Sequence, residues 1–250
     1  APAPVPLFAV VAHRDLSATL VELEQVMAST LRRGGNVVVP AFAVGRTQEI
    51  LYHLHQLARI GRLPPMDIYV DSPMAVAATQ ITGRHQALFD EDARALEQWR
   101  REGNGLPRLR FTESADESRA LNAVRSGAVI IAASGMCDAG RVRHHLRHNL
   151  GRAECSVLVT GFQAQGTLGR RLVDGARLVH IFGQPVAVRA KIVTVGGLSA
   201  HADQPTLLNW LRGFQKPPKQ TCVVHGEASA SEAFIGAIKD HLGWKVVQAP

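Results

Sequence analysis

Short segments rich in Val and Ile alternate with segments of helical periodicity along most of this chain. The segments typical of buried strands lie at 36–42 (NVVVPAF), 67–71, 128–133 and 156–160. Apolar residues recur at helical spacing between them, beginning with the segment that ends at Gly34. Strands that are apolar on both faces and alternate with helices form parallel sheets covered by helices. The sequence therefore predicts an α/β fold with a mostly parallel sheet flanked by helices.

This alternation changes near Leu178. Two strand-like segments, at 178–182 and 186–195, follow each other there without a helix between them. We interpret the change as a candidate domain border, because the strand and helix alternation resumes only beyond it.

Several polar residues have the positions of helix caps. A Ser three residues before a Glu is typical of a capping box, and this spacing occurs at Ser114 and Glu117 and again at Ser229 and Glu232. The Asp-Ser pair at 71–72 follows an expected strand. We expect that pair to cap the next helix rather than contact a substrate.

The composition is that of a globular protein. The chain has 250 residues, of which 46% are hydrophobic and 20% charged, and these values exclude disordered and fibrous classes. No apolar segment approaches the roughly 20 residues of a membrane-spanning helix, so we expect no membrane partner. The chain begins with Ala and has no basic leader, so we expect no secretory signal and interpret its start as a cut end. Its three cysteines form no CxxC pair, which is typical of reduced thiols in the cytoplasm.

The chain is basic, with 28 Lys and Arg against 21 Asp and Glu and a formal net charge of +7. Every Lys or Arg before Lys191 is Arg. The planar guanidinium fits phosphate oxygens, so a polyanion is one expected partner. The alternative is that a GC-rich genome favours Arg codons, and the charge alone does not separate the two.

Two histidines follow expected strands in the last block, His201 in GGLSAHAD and His225 in VVHGE. Side chains just beyond the carboxyl ends of strands in α/β proteins line the crevice where ligands bind. An imidazole there can ligate a metal or transfer a proton. The alternative for each histidine is a structural hydrogen bond. Two of them at successive strand ends, each near a carboxylate (Asp203 and Glu227), favour a functional site.

Three other segments are candidates for anion contact. GFQAQGT resembles a phosphate loop, but the Lys expected before Thr167 is absent, which favours a sharp turn over a nucleotide-binding module. Ser134 and Arg141 lie between a strand and a helix and can face an anion there. His144 and His148 share one helix face among several arginines. That setting favours phosphate contact or a solvated face over a metal site.

Several segments of the chain, taken in order, resemble the β-CASP branch of the metallo-β-lactamase fold. This is a family of RNA-cleaving enzymes related to the cleavage and polyadenylation endonuclease and to bacterial ribonuclease J. The resemblance rests on RGGNVVVPAFAVGRTQEIL, IYVDSPMA, AASGMCDAGRVRHHLRHNL, VTGFQAQGTLGRRL, and GGLSAHAD followed by VVHGE. These segments extend over about residues 13–227, nearly the whole chain.

The resemblance implies a domain organisation. A β-CASP domain is expected at 16–190, inserted late in a metallo-β-lactamase αββα fold. The chain would return to the carboxyl-terminal part of that fold at 191–250. Residues 1–15 do not match the family pattern and would form a linker.

The resemblance also implies roles for individual residues. His201 matches a motif histidine thought to act as general acid or phosphate stabiliser, and Ser199 matches a neighbour that contacts the scissile phosphate. His225 matches a zinc ligand. Ser134 and Arg141 are kept as substrate-binding candidates.

The family's HxHxDH signature, which supplies most zinc ligands, is absent from this sequence. We therefore expect the carboxyl-terminal portion of a zinc-dependent RNA phosphodiester hydrolase of the cytoplasm, catalytically incomplete alone. Its expected partners are RNA and the missing amino-terminal half with its two zinc ions, and a homodimer is a further candidate assembly. The alternative is a non-catalytic β-CASP paralogue that acts as a scaffold for RNA or a partner protein.

Overall fold

The computed structural model describes residues 15–106, 108–199, 201–224 and 226–248. Contacts between residues divide the chain into two compact units. The first comprises Leu16–Leu198, and the second contains the described residues that follow Leu198.

The first unit alternates strands and helices as the sequence predicts. Its strands are β1 (Val37–Pro40), β2 (Asp67–Val70), β3 (Leu109–Phe111), β4 (Ala128–Ala132), β5 (Ser156–Val159), β6 (Leu178–Ile181), β7 (Gln184–Ala187) and β8 (Lys191–Thr194). Its helices are α1 (Leu16–Arg32), α2 (Arg46–Arg59), α3 (Pro73–Arg84), α4 (Glu91–Trp99), α5 (Ala115–Ala120), α6 (Val142–Asn149) and α7 (Leu168–Val173). Single helical turns lie at Gln86–Leu88, Arg100–Asn104 and Leu121–Ala123.

Six of these strands form one sheet in the order β3-β2-β4-β1-β5-β8, and every neighbouring pair is parallel. The other two, β6 and β7, form an antiparallel hairpin. The predicted α/β fold with a mainly parallel sheet flanked by helices is confirmed.

Helices cover both faces of the sheet because its inner strands are apolar on both faces. Val37 and Val39 of β1 pack with α1 and α2, whereas Val38 between them packs with α6 and α7. Successive side chains of a strand point to opposite faces, which explains why β1 contributes to both cores. The helix after β1 and the helix after β4 therefore lie on opposite faces, although β1 and β4 are neighbours. Such a switch point leaves a crevice at the carboxyl ends of the two strands.

Residues 86–102 do not form one continuous helix, because the Asp90 side chain accepts a hydrogen bond from the Ala93 amide at 2.8 Å and so begins α4. The capping box expected at Ser229 and Glu232 is wrong, because helix α9 (Ala228–Leu242) already includes both residues. The capping box of Ser114 and Glu117 is confirmed at the start of α5.

Strand β8 pairs with β5 and so belongs to the first unit. The domain boundary expected between residues 190 and 191 stays a prediction. The second unit contains α8 (Gln204–Arg212), β9 (Thr221–Val223), α9 and β10 (Val246–Gln248). Its two strands pair in parallel over a small core that includes Ile238 and Trp244. No helix in the described part of the chain is long and apolar enough to cross a membrane.

Candidate functional site

The loop at 133–140 follows β4 at the carboxyl edge of the sheet, where the switch point between β1 and β4 lies. Ser134 lies in this loop, half-buried, and its hydroxyl forms no hydrogen bond with any described residue. The neighbouring Gly135 lies against Phe42, so that a Cβ atom placed on the glycine would be 3.0 Å from the ring. The loop after β4 thus packs closely on the loop after β1, and the Ser134 hydroxyl keeps its donor and acceptor capacity for a ligand.

Backbone hydrogen bonds fix the shape of this loop. The Ser134 amide donates to the Ala139 carbonyl at 3.1 Å, and the Val142 amide donates to the Ala133 carbonyl at 3.1 Å. Gly140 has φ of 76° at the turn into α6, and a Cβ atom there would lie 2.3 Å from the Ala133 carbonyl oxygen. Glycine is therefore required at position 140, because it adopts a positive φ without strain and has no Cβ atom to clash with the Ala133 carbonyl.

The GFQAQGT segment forms a turn closed by its own side chain. Gln163 is buried and donates from Nε2 to the Gly135 carbonyl at 2.9 Å and to the Phe162 carbonyl at 3.0 Å. The Thr167 hydroxyl caps α7 by accepting from the Arg170 amide. A glutamine amide therefore occupies this loop and ties it to the loop at 133–140.

A buried carboxylate, Asp71, lies directly beyond β2 at the same edge of the sheet and is fully buried. One oxygen, Oδ1, accepts from the Thr112 hydroxyl at 2.5 Å and from Arg141 Nη1 at 2.8 Å. The other oxygen, Oδ2, accepts from the Ser118 hydroxyl at 2.6 Å and from His145 Nε2 at 2.5 Å. Four donors from two chain segments, 112–118 and 141–145, thus converge on one carboxylate.

The electrostatics of this centre keep Asp71 ionised. Burial alone would raise the pKa of the carboxyl, but hydrogen bonds from His145, Ser118, Thr112 and Arg141 outweigh burial and hold the pKa well below its usual range. The Nδ1 atom of His145 is buried and has no partner among the described residues.

Asp71 is the residue that the sequence interpretation missed. Ser72, not Asp71, caps α3, since its hydroxyl accepts from the Ala75 amide at 3.3 Å. The predicted Asp-Ser cap is therefore half wrong. One signal was available: polar residues follow β2 and β3 directly, at Asp71 and Thr112, and parallel strands end at one edge. The contribution of His145 from α6 depends on tertiary packing, and local spacing does not reveal it.

Arg141 has a structural role that its sequence position did not indicate. Nη1 donates to Asp71 and, at 3.3 Å, to the Thr112 carbonyl, and Nη2 donates to the Glu113 carbonyl at 2.9 Å. These bonds fix the start of α6 against the ends of β2 and β3. Contact of Arg141 with a substrate stays a prediction.

In the second unit the structure places Ser199 and His201 side by side. The Ser199 hydroxyl accepts from the His201 amide at 3.2 Å, which is a local turn typical of serine. His201 is exposed to solvent. Asp203 caps α8 by accepting from the Thr206 amide at 3.0 Å, so this carboxylate has a structural function close to the histidine.

The predicted metal ligand His225 lies outside the described residues, as do residues 1–14 of the predicted linker at 1–15. Zinc sites in proteins require at least three protein ligands of the Cys, His, Asp or Glu type. The ranges that the structure describes contain no such group. These residues therefore do not fit a zinc site by themselves.

Comparison with protein families identifies the fold of the first unit. The family model described as the Beta-Casp domain matches residues 47–172, half of the chain. This chain belongs to the β-CASP family. A second family model, described as the Zn-dependent metallo-hydrolase RNA specificity domain, matches residues 185–249 of the β-CASP chain. The resemblance to β-CASP members of the metallo-β-lactamase fold is thereby confirmed.

Relatives of this β-CASP chain include proteins named as ribonucleases. Ribonuclease TTHA0252 of Thermus thermophilus is 37% identical over 86% of this chain and 48% of its own length. An RNase J-like protein of Methanocaldococcus jannaschii is 31% identical over 96% of this chain and 52% of its own length. The transcription termination factor FttA of Thermococcus kodakarensis is 34% identical over 88% of this chain and 35% of its own length. The β-CASP chain thus spans about half the length of these curated relatives, or less.

Proposed function

We propose that this chain is the carboxyl-terminal portion of a zinc-dependent hydrolase that cleaves RNA phosphodiester bonds. The observation that carries the proposal is the match of both family models, β-CASP at 47–172 and the RNA specificity domain at 185–249, in one chain. The relative named Ribonuclease TTHA0252 supports the same reaction class. A non-catalytic scaffold is less favoured, because relatives named as ribonucleases match most of this chain.

In this proposal each candidate site residue has its own role. Ser134 presents a hydroxyl in the switch-point crevice and would bind a phosphate oxygen of the RNA. Ser199 and His201 lie on one turn of the second unit and would contact the scissile phosphate, with His201 as general acid or phosphate stabiliser. Arg141 would add a guanidinium N–H that its bonds to Asp71, Thr112 and Glu113 do not use.

In this proposal the zinc ligands are residues other than those that the structure describes. Metal-dependent phosphodiester hydrolysis commonly uses two ions, one to activate water and both to stabilise developing charge. The described residues provide no metal-binding group, and a single His225 would be far too few ligands for either ion. We therefore propose that the two zinc ions depend on an amino-terminal half of the parent protein, and that the 250-residue chain alone is catalytically incomplete. Cytoplasmic location and a homodimer are further parts of this proposal.

The proposal predicts a clear difference between the full-length protein and this chain. We expect the protein encoded by the complete gene to cleave a labelled single-stranded RNA, to lose cleavage in EDTA and to regain it with added zinc. The 250-residue chain should bind the same RNA and leave it intact. The measurement is the rate of RNA cleavage on denaturing gels.

Each other outcome has a definite meaning. Full-length protein that binds RNA without cleaving it would favour the scaffold and contradict the hydrolase. Zinc-dependent cleavage by the isolated chain would contradict its proposed incompleteness while leaving the reaction class intact.

A further inference from the structure

Helix α6 has an unusual composition for a surface helix. Its eight residues, VRHHLRHN, include two arginines and three histidines and no acidic residue. Val142, His145 and Leu146 face the core, whereas His144, Arg147 and His148 are exposed. The outward face of α6 therefore presents only arginine and histidine side chains.

An exposed aromatic ring belongs to the same surface. Phe182 lies at the tip of the β6–β7 hairpin with 39% of its surface exposed. The Arg143 guanidinium carbon lies 4.4 Å from its ring centroid, and the His144 ring centroid lies 4.6 Å from it. A cation over an aromatic face is held by the ring quadrupole while its N–H edges stay open to other acceptors. We call Arg143, His144, Arg147, His148 and Phe182 the α6 surface.

The charges of this surface are not neutralised within the described part of the chain. Arg141 before α6 pairs with Asp71, and Arg152 after it pairs with Glu154. Neither Arg143 nor Arg147 forms an ion pair with any described carboxylate. Partial burial is the main cause that lowers the pKa of both His144 and His148, and the neighbouring cationic side chains, among them Arg147, lower it further.

A concentration of like charge disfavours the folded chain unless a counter-charge relieves it. The α6 surface begins at the edge of the sheet that holds Ser134, because Arg141 precedes α6 directly and α6 follows the loop at 133–140. At 1.5 Å per residue, Arg143 lies about 3 Å and Arg147 about 9 Å along the helix axis from Arg141. A strand of phosphates bound near Ser134 could continue along this helix.

We propose that the α6 surface binds the phosphate backbone of single-stranded RNA, as a site additional to the residues that contact the cleaved bond. Arg143 and Arg147 contact phosphates, and Phe182 is a positioning residue that holds Arg143. The proposal rests on RNA being the substrate of this family member, and it adds the surface that holds RNA away from the crevice.

The test is binding of a fluorescein-labelled single-stranded RNA to the 250-residue chain, followed by anisotropy at several salt concentrations. Each phosphate contact with a single strand contributes about −0.7 to the slope of log K against log salt. The double variant Arg143→Gln with Arg147→Gln should reduce the magnitude of this slope by about 1.4 and weaken binding about tenfold at low salt. A matched control, Arg32→Gln with Arg84→Gln, removes two exposed arginines from the ends of α1 and α3 and should change neither the slope nor the affinity beyond about twofold.

Phe182 is tested through its effect on Arg143. Phe182→Leu should weaken RNA binding about 2- to 5-fold, and Phe182→Tyr, which keeps an aromatic face, should restore it. Equal loss in both variants would overturn the positioning role. Urea unfolding of every variant should match the unmodified chain, because these side chains lie on the surface.

The outcomes separate this proposal from the proposed function. If the unmodified chain binds RNA and the Arg143 and Arg147 double variant binds it with the same slope, the α6 proposal alone is overturned. If the unmodified chain fails to bind RNA, the α6 proposal is overturned, whereas the hydrolase proposal is decided separately by RNA cleavage with the full-length protein. If the double variant retains RNA binding but loses binding to a poly-glutamate peptide, the surface belongs to an acidic protein partner and RNA is excluded there.

Discussion

Replacing Asp71 with Asn is expected to lower the free energy of unfolding by about 3–5 kcal/mol, the range found when one partner of a buried ion pair is removed. The carboxylate is fully buried and accepts from Thr112, Ser118, Arg141 and His145. An amide has one oxygen and one NH₂ group, so it cannot accept from all four donors. The Arg141 guanidinium would also keep its charge without its carboxylate.

The measurement is urea unfolding followed by circular dichroism, with Asp116→Asn as the matched control. Asp116 also pairs with an arginine, Arg119, but both side chains are largely exposed, so the control should cost less than about 1 kcal/mol. A loss of the same small size for Asp71→Asn would show that the buried network does not stabilise the first unit.

The free energy of unfolding should also decrease as the pH falls below the ordinary carboxyl pKa. Because the folded-state pKa of Asp71 is depressed, the contribution of this group is fully present above the ordinary carboxyl pKa of about 3.9. It is lost progressively as the pH falls below that value toward the depressed pKa. The Asp71→Asn variant should show a shallower loss of stability below about pH 4 than the unmodified chain. Parallel curves for the two proteins would contradict the depressed pKa.

Replacing His201 with Ala in the full-length protein is expected to reduce RNA cleavage by about 10²-fold or more, the usual contribution of a general acid or base. The imidazole is exposed and its backbone is held by the Ser199 hydroxyl, so the substitution removes a reactive group and not a packing element. Zinc content should remain that of the unmodified protein. The measurement combines single-turnover cleavage with metal analysis of the same sample.

A second histidine of the same unit provides the control. His241 is exposed in the last turn of α9, and His241→Ala should leave cleavage within about twofold of the unmodified rate. Loss of zinc together with cleavage in His201→Ala would mean that His201 serves the metal and not the proton.

Much of the first unit was predictable, because its strands depend on local composition. NVVVPAF contains β1, and SVLVT contains β5, since runs of β-branched residues fit strands buried on both faces. The capping box at Ser114 was also local, because both of its hydrogen bonds lie within four residues. The box expected at Ser229 failed because α9 begins before it, at Ala228.

The features that the sequence did not reveal depend on contacts between residues far apart in the chain. Asp71 meets His145 across 74 positions of the chain and Thr112 across 41. No window of residues carries that information, because it depends on β2, β3 and α6 meeting at one edge of the sheet. The place of β8 has a similar origin, because local composition indicates a strand there and only its pairing with β5 shows which sheet contains it.

The central claim is that this chain provides RNA-handling residues of a β-CASP hydrolase whose metal ligands lie mainly elsewhere in the parent protein. The most direct test is zinc per molecule, measured by mass spectrometry after dialysis, for the 250-residue chain and for the full-length protein. We predict about two zinc ions in the full-length protein and much less than one in the chain alone. A chain that retains stoichiometric zinc by itself would contradict the claim.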